Sequence, residues 1–206
     1  MSLEEELAVF YRRNGFGEVA GRRPPRTVAV YTGCMLVPLP NIETRRRFLK
    51  YHDLHHLITG YTVGRIGEGE VSAWELGAGS AFVSPTLGVM NLIALSTGLI
   101  LQPKRMWLAF RRGCRSRCLY PRDFRALIDA GCWPDVATLR DAVLDTTAPR
   151  VPMILRAAEF ACYSVAAMFV HATIAAPAVI TRVITDILLG HTLFRAVTPA
   201  RRADLY

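Results

Sequence analysis

Two long stretches without a charged residue limit what this chain can fold into. Residues 81–103 and 160–181 contain no Asp, Glu, Lys or Arg, and each has the length that crosses a bilayer. Such stretches must be buried in a protein core or in a membrane. Polar residues, Pro85 and several glycines dilute the first stretch, so a core helix and a membrane helix both stay open there. For the second we expect a membrane-embedded helix, with a pair of buried helices split at Pro177 as the alternative.

The high hydrophobic fraction and the positive net charge of the chain also favour contact with a membrane. The chain has 206 residues, 51% of them hydrophobic and 20% charged, with a formal net charge of +8. That length supports one sizeable core and an appendage. The positive charge suits an anionic membrane surface or a phosphorylated ligand. We expect no nucleic-acid partner, because the charge is not accompanied by an aromatic-studded basic groove, a zinc finger or a recognition helix.

The compartment is predicted from the N-terminus and the cysteines. The opening residues, MSLEEELAVFYRRNGF, are acidic and then amphipathic, without the apolar core of a signal peptide. Five cysteines without a tight framework are typical of reduced thiols. We therefore expect a membrane-associated protein on the cytoplasmic face of a bacterial membrane, or its equivalent, without a signal peptide.

Helical signals dominate the first 146 residues. Ser2 with Glu5 three positions later forms a capping box for a helix over residues 2–13. A helical pattern runs from residue 42 to Gly60, a second helix is expected to begin near Ile66, and only residues 28–41 suggest a short strand or an extended segment. The sequence therefore predicts an all-α fold. We expect a helical domain over residues 1–146 and an apolar helical C-terminal extension over 147–206. A membrane-embedded extension is one option and a buried one is the other.

Three of the five histidines lie within the five residues 52–56. His52 and His56 are one helical turn apart, so both imidazoles can reach one ion. Asp53 can bind the ion or orient a ligand, and the glycines before Glu68 permit a turn that returns this carboxylate to the first helix. The pattern therefore predicts a divalent zinc or iron site between two helices, with His52, Asp53, His56 and Glu68 as ligands. A solvated, histidine-rich helix is the alternative.

Other polar residues leave their roles open. His55 could replace His56 as the partner of His52, since a spacing of three also shares a helix face, but we interpret it as a bystander. Glu70 or Glu75 could act as an acid or base, with surface solvation as the competing role. A basic group after the first apolar stretch could meet lipid phosphates or form a solvated face; it comprises Arg111, Arg112, Arg115 and Arg117. No residue is assigned a catalytic role.

The segment HDLHHLITGYTVGRIGE resembles the signature of the Coq-four family of coenzyme Q biosynthesis proteins. That signature is H-D-x-x-H, eleven residues and then E, which His52, Asp53, His56 and Glu68 match. LITGY is similar to the L-T-G-Y segment of the family, and Gly67 with Glu68 to its G-E. A basic stretch and a closing helix extend the resemblance over about residues 42–145.

The resemblance implies an all-helical fold whose H-D-x-x-H…E residues hold a metal. It also implies a membrane-associated role in ubiquinone biosynthesis, with a polyprenyl tail in an apolar groove that residues 81–103 would line. Family members are linked to removal of the ring C1 carboxylate with hydroxylation of that carbon, a lyase-like step, and to organising other quinone-biosynthesis proteins. We therefore expect a polyprenylated quinone precursor or another isoprenoid lipid as ligand. We also expect a homo-oligomer.

Three hypotheses remain open from the sequence, and one of them is an integral membrane protein whose C-terminal segment anchors or oligomerises it. The other two concern the activity. The first is a metal-dependent enzyme acting in oxidative decarboxylation and hydroxylation of a prenylated benzoate. The second is a non-catalytic, lipid-binding scaffold that organises quinone-biosynthesis enzymes and holds the metal for structure.

Overall fold

The fold is mostly helical, as the sequence predicts. The computed structural model describes residues 1–15, 26–32, 35–146 and 151–190. The elements follow one another as α1 Leu3–Arg13, β1 Thr27–Thr32, β2 Met35–Pro40, α2 Glu43–Thr59, α3 Arg65–Gly77, α4 Ser80–Val83, α5 Pro85–Leu101, α6 Pro103–Gly113, α7 Arg122–Asp129, α8 Val136–Val143 and α9 Met153–Leu188.

The β-structure of the described residues consists of one two-stranded hairpin. Strands β1 and β2 pair antiparallel, from Thr27 opposite Pro40 to Thr32 opposite Met35. Sequence analysis left this segment open between a strand and an extended entry, and the structure shows two strands. The hairpin is anchored on α5, where the Thr97 hydroxyl donates to the Tyr31 carbonyl at 3.2 Å.

Helix α3 lies at the centre of the molecule and packs against α5 and α6. Its Trp74 is fully buried, as are residues of the helices and the loop around it. Fully buried apolar residues of this core include Leu54, Leu95, Phe110, Leu119 and Leu139. Burial on this scale supplies the main favourable free energy of folding and fixes the helices that carry the polar site.

The uncharged stretch 81–103 forms a core helix with short flanks. Ser84 is extended before Pro85 opens α5, and Pro103 opens α6 directly after Gln102. Helix α5 is therefore only 17 residues long, and it buries one face that includes Leu87, Asn91 and Leu95. Its burial against α3 explains the long uncharged run without a membrane span.

The second uncharged stretch belongs to α9, a single helix of 36 residues. Pro177 lies inside it without ending it, so the alternative of two separate helices is wrong. Near its start Phe160 packs on Phe110 of α6, with ring centroids 5.1 Å apart. The predicted domain boundary between residues 146 and 147 lies next to residues 147–150, which are outside the described ranges. Residues 191–206 of the predicted extension are also outside them, so the domain division stays a prediction.

Candidate metal centre

Helix α2 presents the two predicted histidine ligands on one face. His52 and His56 are one turn apart, and their ring centroids lie 4.9 Å from each other with the rings nearly perpendicular. His56 is 2% exposed, whereas the His52 side chain is 21% exposed. Helix α1 covers the buried side, with the ring of Phe10 stacked against His56 at 6.1 Å. The pair is therefore closed on one side and accessible on the other.

Two glycines bring the third ligand back to α2. Gly60 ends α2 in a left-handed conformation with φ of 79°, which side chains other than glycine rarely adopt. Gly67 lies so close to the preceding loop that an added Cβ would stand 1.8 Å from the Thr62 carbonyl oxygen. The loop can therefore fold over the first turn of α3, which begins at Arg65, and place Glu68 beside the histidines.

His52, His56 and Glu68 could together hold a metal ion. One ligand atom from each lies within 4.8 Å of the other two. Glu68 Oε2 lies 3.4 Å from His52 Nε2 and 3.8 Å from His56 Nε2. Ligand atoms on one tetrahedral zinc ion with bonds of about 2.0 Å stand about 3.3 Å apart, so the two separations from Glu68 are close to the spacing that one ion requires.

An unpartnered buried atom supports the fit of a metal ion. His56 Nε2 has no hydrogen-bond partner, although it is buried. A buried polar atom without a partner is costly, and native proteins rarely leave one unexplained. The other ring nitrogen, Nδ1, lies 3.0 Å from the Tyr61 carbonyl oxygen, which can only accept. In the neutral ring Nδ1 therefore carries the hydrogen, and the Nε2 lone pair faces the site as a ligand.

Asp53 lies beside the three ligands and has its own partner. The Tyr11 hydroxyl of α1 donates to Asp53 Oδ2 at 3.0 Å. Burial raises the pKa of the Asp53 carboxyl to about 6. The group of ligand atoms that could share one ion contains His52, His56 and Glu68, so the role of Asp53 as a ligand stays a prediction.

A buried carboxylate, whose role the sequence left open between acid–base chemistry and surface solvation, completes the polar cluster. Glu75 is fully buried, and its Oε1 lies 2.9 Å from His52 Nδ1 and 2.7 Å from His55 Nδ1. The Tyr120 hydroxyl donates to the same oxygen at 2.7 Å. The interpretation of Glu75 as a solvated surface residue is therefore wrong. His55 is not among the residues whose ligand atoms could share one ion, and its buried ring contacts Glu75 instead. Glu75 stands two helical turns after Glu68, a spacing that places both on one face of α3.

The electrostatics of the cluster favour bound positive charge. Burial opposes ionisation of Glu68, but the hydrogen bond with His52 and the neighbouring imidazole of His56 hold its pKa well below the usual range. Burial likewise opposes ionisation of Glu75, whose pKa is also held low by His52 and His55. Burial disfavours a charged His52, yet the two carboxylates raise its pKa well above the ordinary value. Two anionic groups thus share a buried site that selects a cation, either a proton or a metal ion.

An apolar cavity of about 360 Å³ leads to the accessible side of the cluster. His52, Asp53 and Glu68 form its polar end. Most of its remaining lining is apolar and comes from the hairpin, α2, α5 and one residue of α9, including Val28, Leu39, Met90, Ile93 and Ile174. The cluster is therefore reached through a space that suits an elongated apolar ligand.

Three of the other charged residues noted in the sequence have side-chain partners. Glu70 forms a two-point ion pair with Arg105, at 2.7 and 2.8 Å, and is 5% exposed. Arg112 donates to the Thr59 carbonyl at 2.9 Å, and Arg115 lies 3.7 Å from Asp145. These contacts leave Glu70 outside the metal cluster.

Comparison with protein-family models, with curated proteins and with solved structures finds no match to this chain. The resemblance to the Coq-four family therefore stays a prediction from the motif.

Proposed function

We propose that the protein is a metal-dependent enzyme of ubiquinone or related prenylated-quinone biosynthesis. In this proposal it removes the ring C1 carboxylate of a polyprenylated benzoate and hydroxylates that carbon. The observation that carries the proposal is a cluster of three residues that could hold a metal ion, at the polar end of an apolar cavity. The spacing of the H-D-x-x-H…E motif adds the reaction and the pathway as an expectation.

The two ends of the cavity match the two ends of such a substrate. A polyprenyl tail is apolar and flexible, and the walls formed by the hairpin and α5 offer it apolar side chains such as Leu39 and Ile93. The ring carboxylate would then lie at the polar end near His52 and Glu68. Both side chains are partly exposed, at 21% and 25%, so a substrate atom can reach them.

The chain itself supplies the ion's ligands and a site shielded from water. His52, His56 and Glu68 would hold zinc or iron, and the apolar walls would exclude bulk water from the headgroup. Bound there, the ion would polarise a carboxylate or phenolate oxygen, or, if it is iron, support oxygen chemistry. Replacing a ring carboxylate by a hydroxyl releases carbon dioxide and oxidises the ring by two electrons, so the reaction needs an oxidant such as dioxygen.

Membrane association is part of the proposal. Helix α9 is long and apolar enough to cross a membrane, and most of that span is exposed in the protein. Because Ile174 of α9 also lines the cavity, a prenylated substrate could pass from the bilayer to the site. We place the protein on the cytoplasmic face and expect a homo-oligomer or a complex with other quinone-biosynthesis proteins on the remaining apolar surface.

The metal site is tested by elemental analysis of the purified protein beside the double variant His52→Ala, Glu68→Ala. We expect zinc or iron near one ion per chain in the wild type, and loss of that ion in the variant. His171→Ala is the matched control, since this histidine bonds to Ser96 between α5 and α9 and lies outside the cluster. Equal metal content in the wild type and the double variant would overturn the site.

The alternative function is a lipid-binding scaffold in which the metal is structural. His56→Ala separates the two functions in a strain whose quinone synthesis depends on this protein. For an enzyme, product formation is lost while partner proteins still co-purify. Quinone synthesis that persists in His56→Ala, with the metal shown to be absent, would favour the scaffold.

A further inference from the structure

One oxygen of Glu75 is in hydrogen-bond contact with three side chains of the polar cluster. His52 Nδ1, His55 Nδ1 and the Tyr120 hydroxyl all lie within 2.9 Å of Oε1. The second oxygen, Oε2, is buried and has no hydrogen-bond partner. Three contacts on one oxygen hold the Glu75 carboxylate in a single orientation, with Oε1 towards α2.

The direction of each hydrogen bond follows from the groups around His55. Its Nε2 lies 3.1 Å from the backbone N–H of Leu119, which can only donate. His55 Nε2 is therefore the acceptor, and Nδ1 carries the hydrogen that is donated to Glu75. Burial lowers the pKa of His55, in agreement with a neutral ring. His55 and Tyr120 are thus two fixed donors that hold the carboxylate in place.

The third contact of Glu75 determines what His52 offers to an ion. A carboxylate accepts, so His52 Nδ1 donates to it, and the lone pair of the neutral ring is then on Nε2. His52 Nε2 is the atom that lies 3.4 Å from Glu68 Oε2, inside the candidate site. Without the bond to Glu75, His52 could place its hydrogen on Nε2 or turn its partly exposed ring towards the cavity.

We propose that Glu75, held by His55 and Tyr120, is a positioning residue that fixes the ring orientation and tautomer of His52 for metal binding. This inference rests on the proposed metal centre. A histidine ligand that donates its other N–H to a carboxylate is a stronger and better oriented metal ligand. Glu75 and Glu68 also place two carboxylates in contact with the same histidine, His52, on opposite nitrogens of its ring.

The same helix supplies a matched control. Glu70 is buried on α3 like Glu75, but its two oxygens bind Arg105 and not the histidines. Glu75→Gln and Glu70→Gln therefore remove one negative charge from one helix with the same change of side chain. Only the first of them removes a charge that contacts a candidate ligand.

The experiment measures zinc affinity by competition with a chromophoric chelator, and the absorption spectrum of the cobalt-substituted full chain. For Glu75→Gln we expect affinity about 10- to 100-fold weaker. We also expect an altered cobalt spectrum at saturation, which reports ligand geometry and would not respond to a loss of fold stability alone. Glu70→Gln should match the wild type in both. Tyr120→Phe removes one of the two donors that hold Glu75 and should weaken zinc affinity in the same direction by less.

The outcomes separate this inference from the function on which it rests. Wild-type protein that binds no metal would overturn the metal centre and the role of Glu75 together. A wild type that binds metal, with Glu75→Gln equal to it in affinity and spectrum, would overturn the positioning role alone. If Glu75→Gln does not fold, Tyr120→Phe decides: unchanged zinc affinity and spectrum in that variant would overturn the inference.

Discussion

Among the candidate ligands, His56 has the ring position and the hydrogen position that its surroundings restrict most. It is buried, its Nδ1 is bonded to the Tyr61 carbonyl, and its Nε2 has no hydrogen-bond partner. His52 and Glu68 in contrast keep part of their surface open to the cavity. One ligand is thus fixed by the fold and two face the space where a substrate would lie.

Asp53 provides a prediction at the scale of one residue. Its Oδ2 accepts from Tyr11, so we expect Asp53→Asn to retain metal at the wild-type stoichiometry, because an amide oxygen can still accept this bond. The measurement is metal content after dialysis, with His56→Ala as the variant that loses the ion. Loss of metal from Asp53→Asn would make Asp53 a fourth ligand, as the motif implies.

Spacing made part of the centre predictable from the sequence. A separation of four places His52 and His56 on one helix face, and the glycines before Glu68 indicated its return. Glu75 and His55 could not be assigned in this way, because their burial depends on Leu119 and Tyr120, which follow more than forty residues later. Local periodicity carries no information on such distant partners.

At the scale of elements, the C-terminal end of α2 is held by arginines from two other helices. Arg140 of α8 donates to the carbonyls of Ile58 and Leu57 at 2.9 and 3.0 Å, and Arg112 of α6 donates to that of Thr59. These carbonyls belong to the last turn of the helix, which has no intrahelical donors for them and carries partial negative charge. The helix that carries the two candidate histidine ligands is therefore fixed at the end nearest His56.

We expect Arg140→Ala to lower the free energy of unfolding by about 1–2 kcal/mol, because two carbonyls of α2 lose a charged donor. Denaturant unfolding of the metal-free protein measures the effect. Arg122→Ala, at an exposed arginine of α7 that reaches none of these carbonyls, should change the stability by much less. Equal stability of Arg140→Ala and the wild type would show that water replaces the arginine at no cost.

The hairpin and α9 are two elements that the sequence patterns did not predict unambiguously. Residues 28–41 were compatible with a strand or an extended segment, since pairing between β1 and β2 is a contact that alternation of residues does not specify. The helix α9 passes through Pro177, although an interior proline usually ends or kinks a helix. Continuation through a proline depends on packing and on surroundings that the local pattern does not contain.

At the scale of the whole molecule, α9 exposes a series of large apolar side chains. Ile154, Val165 and Phe169 are more than two-thirds exposed, and more such residues follow after Pro177. Exposed apolar surface of this kind marks a site of contact with a membrane or a protein partner. With a net charge of +8, contact with an anionic bilayer is the interpretation that agrees with the whole composition.

We expect the double change Val165→Asp, Phe169→Asp to reduce co-flotation of the protein with vesicles that contain anionic lipid. Two charges would have to enter the apolar region of the bilayer, which is costly at either position. Leu127→Asp, at a partly exposed leucine of α7, is the control and should leave flotation unchanged. Flotation that is equal for the double variant and the wild type would place the bilayer contact elsewhere.

The apolar cavity also has a consequence for how an ion bound at the candidate centre would be exchanged. His56 is covered by α1, while His52 and Glu68 open to the cavity, so a molecule that removes the ion must approach along apolar walls. An uncharged aromatic chelator can enter such a space, whereas a multiply charged aminocarboxylate must shed its hydration first. Between two chelators of equal affinity, the uncharged one should strip the protein faster. The residence time of the ion would then depend on the polarity of its competitor.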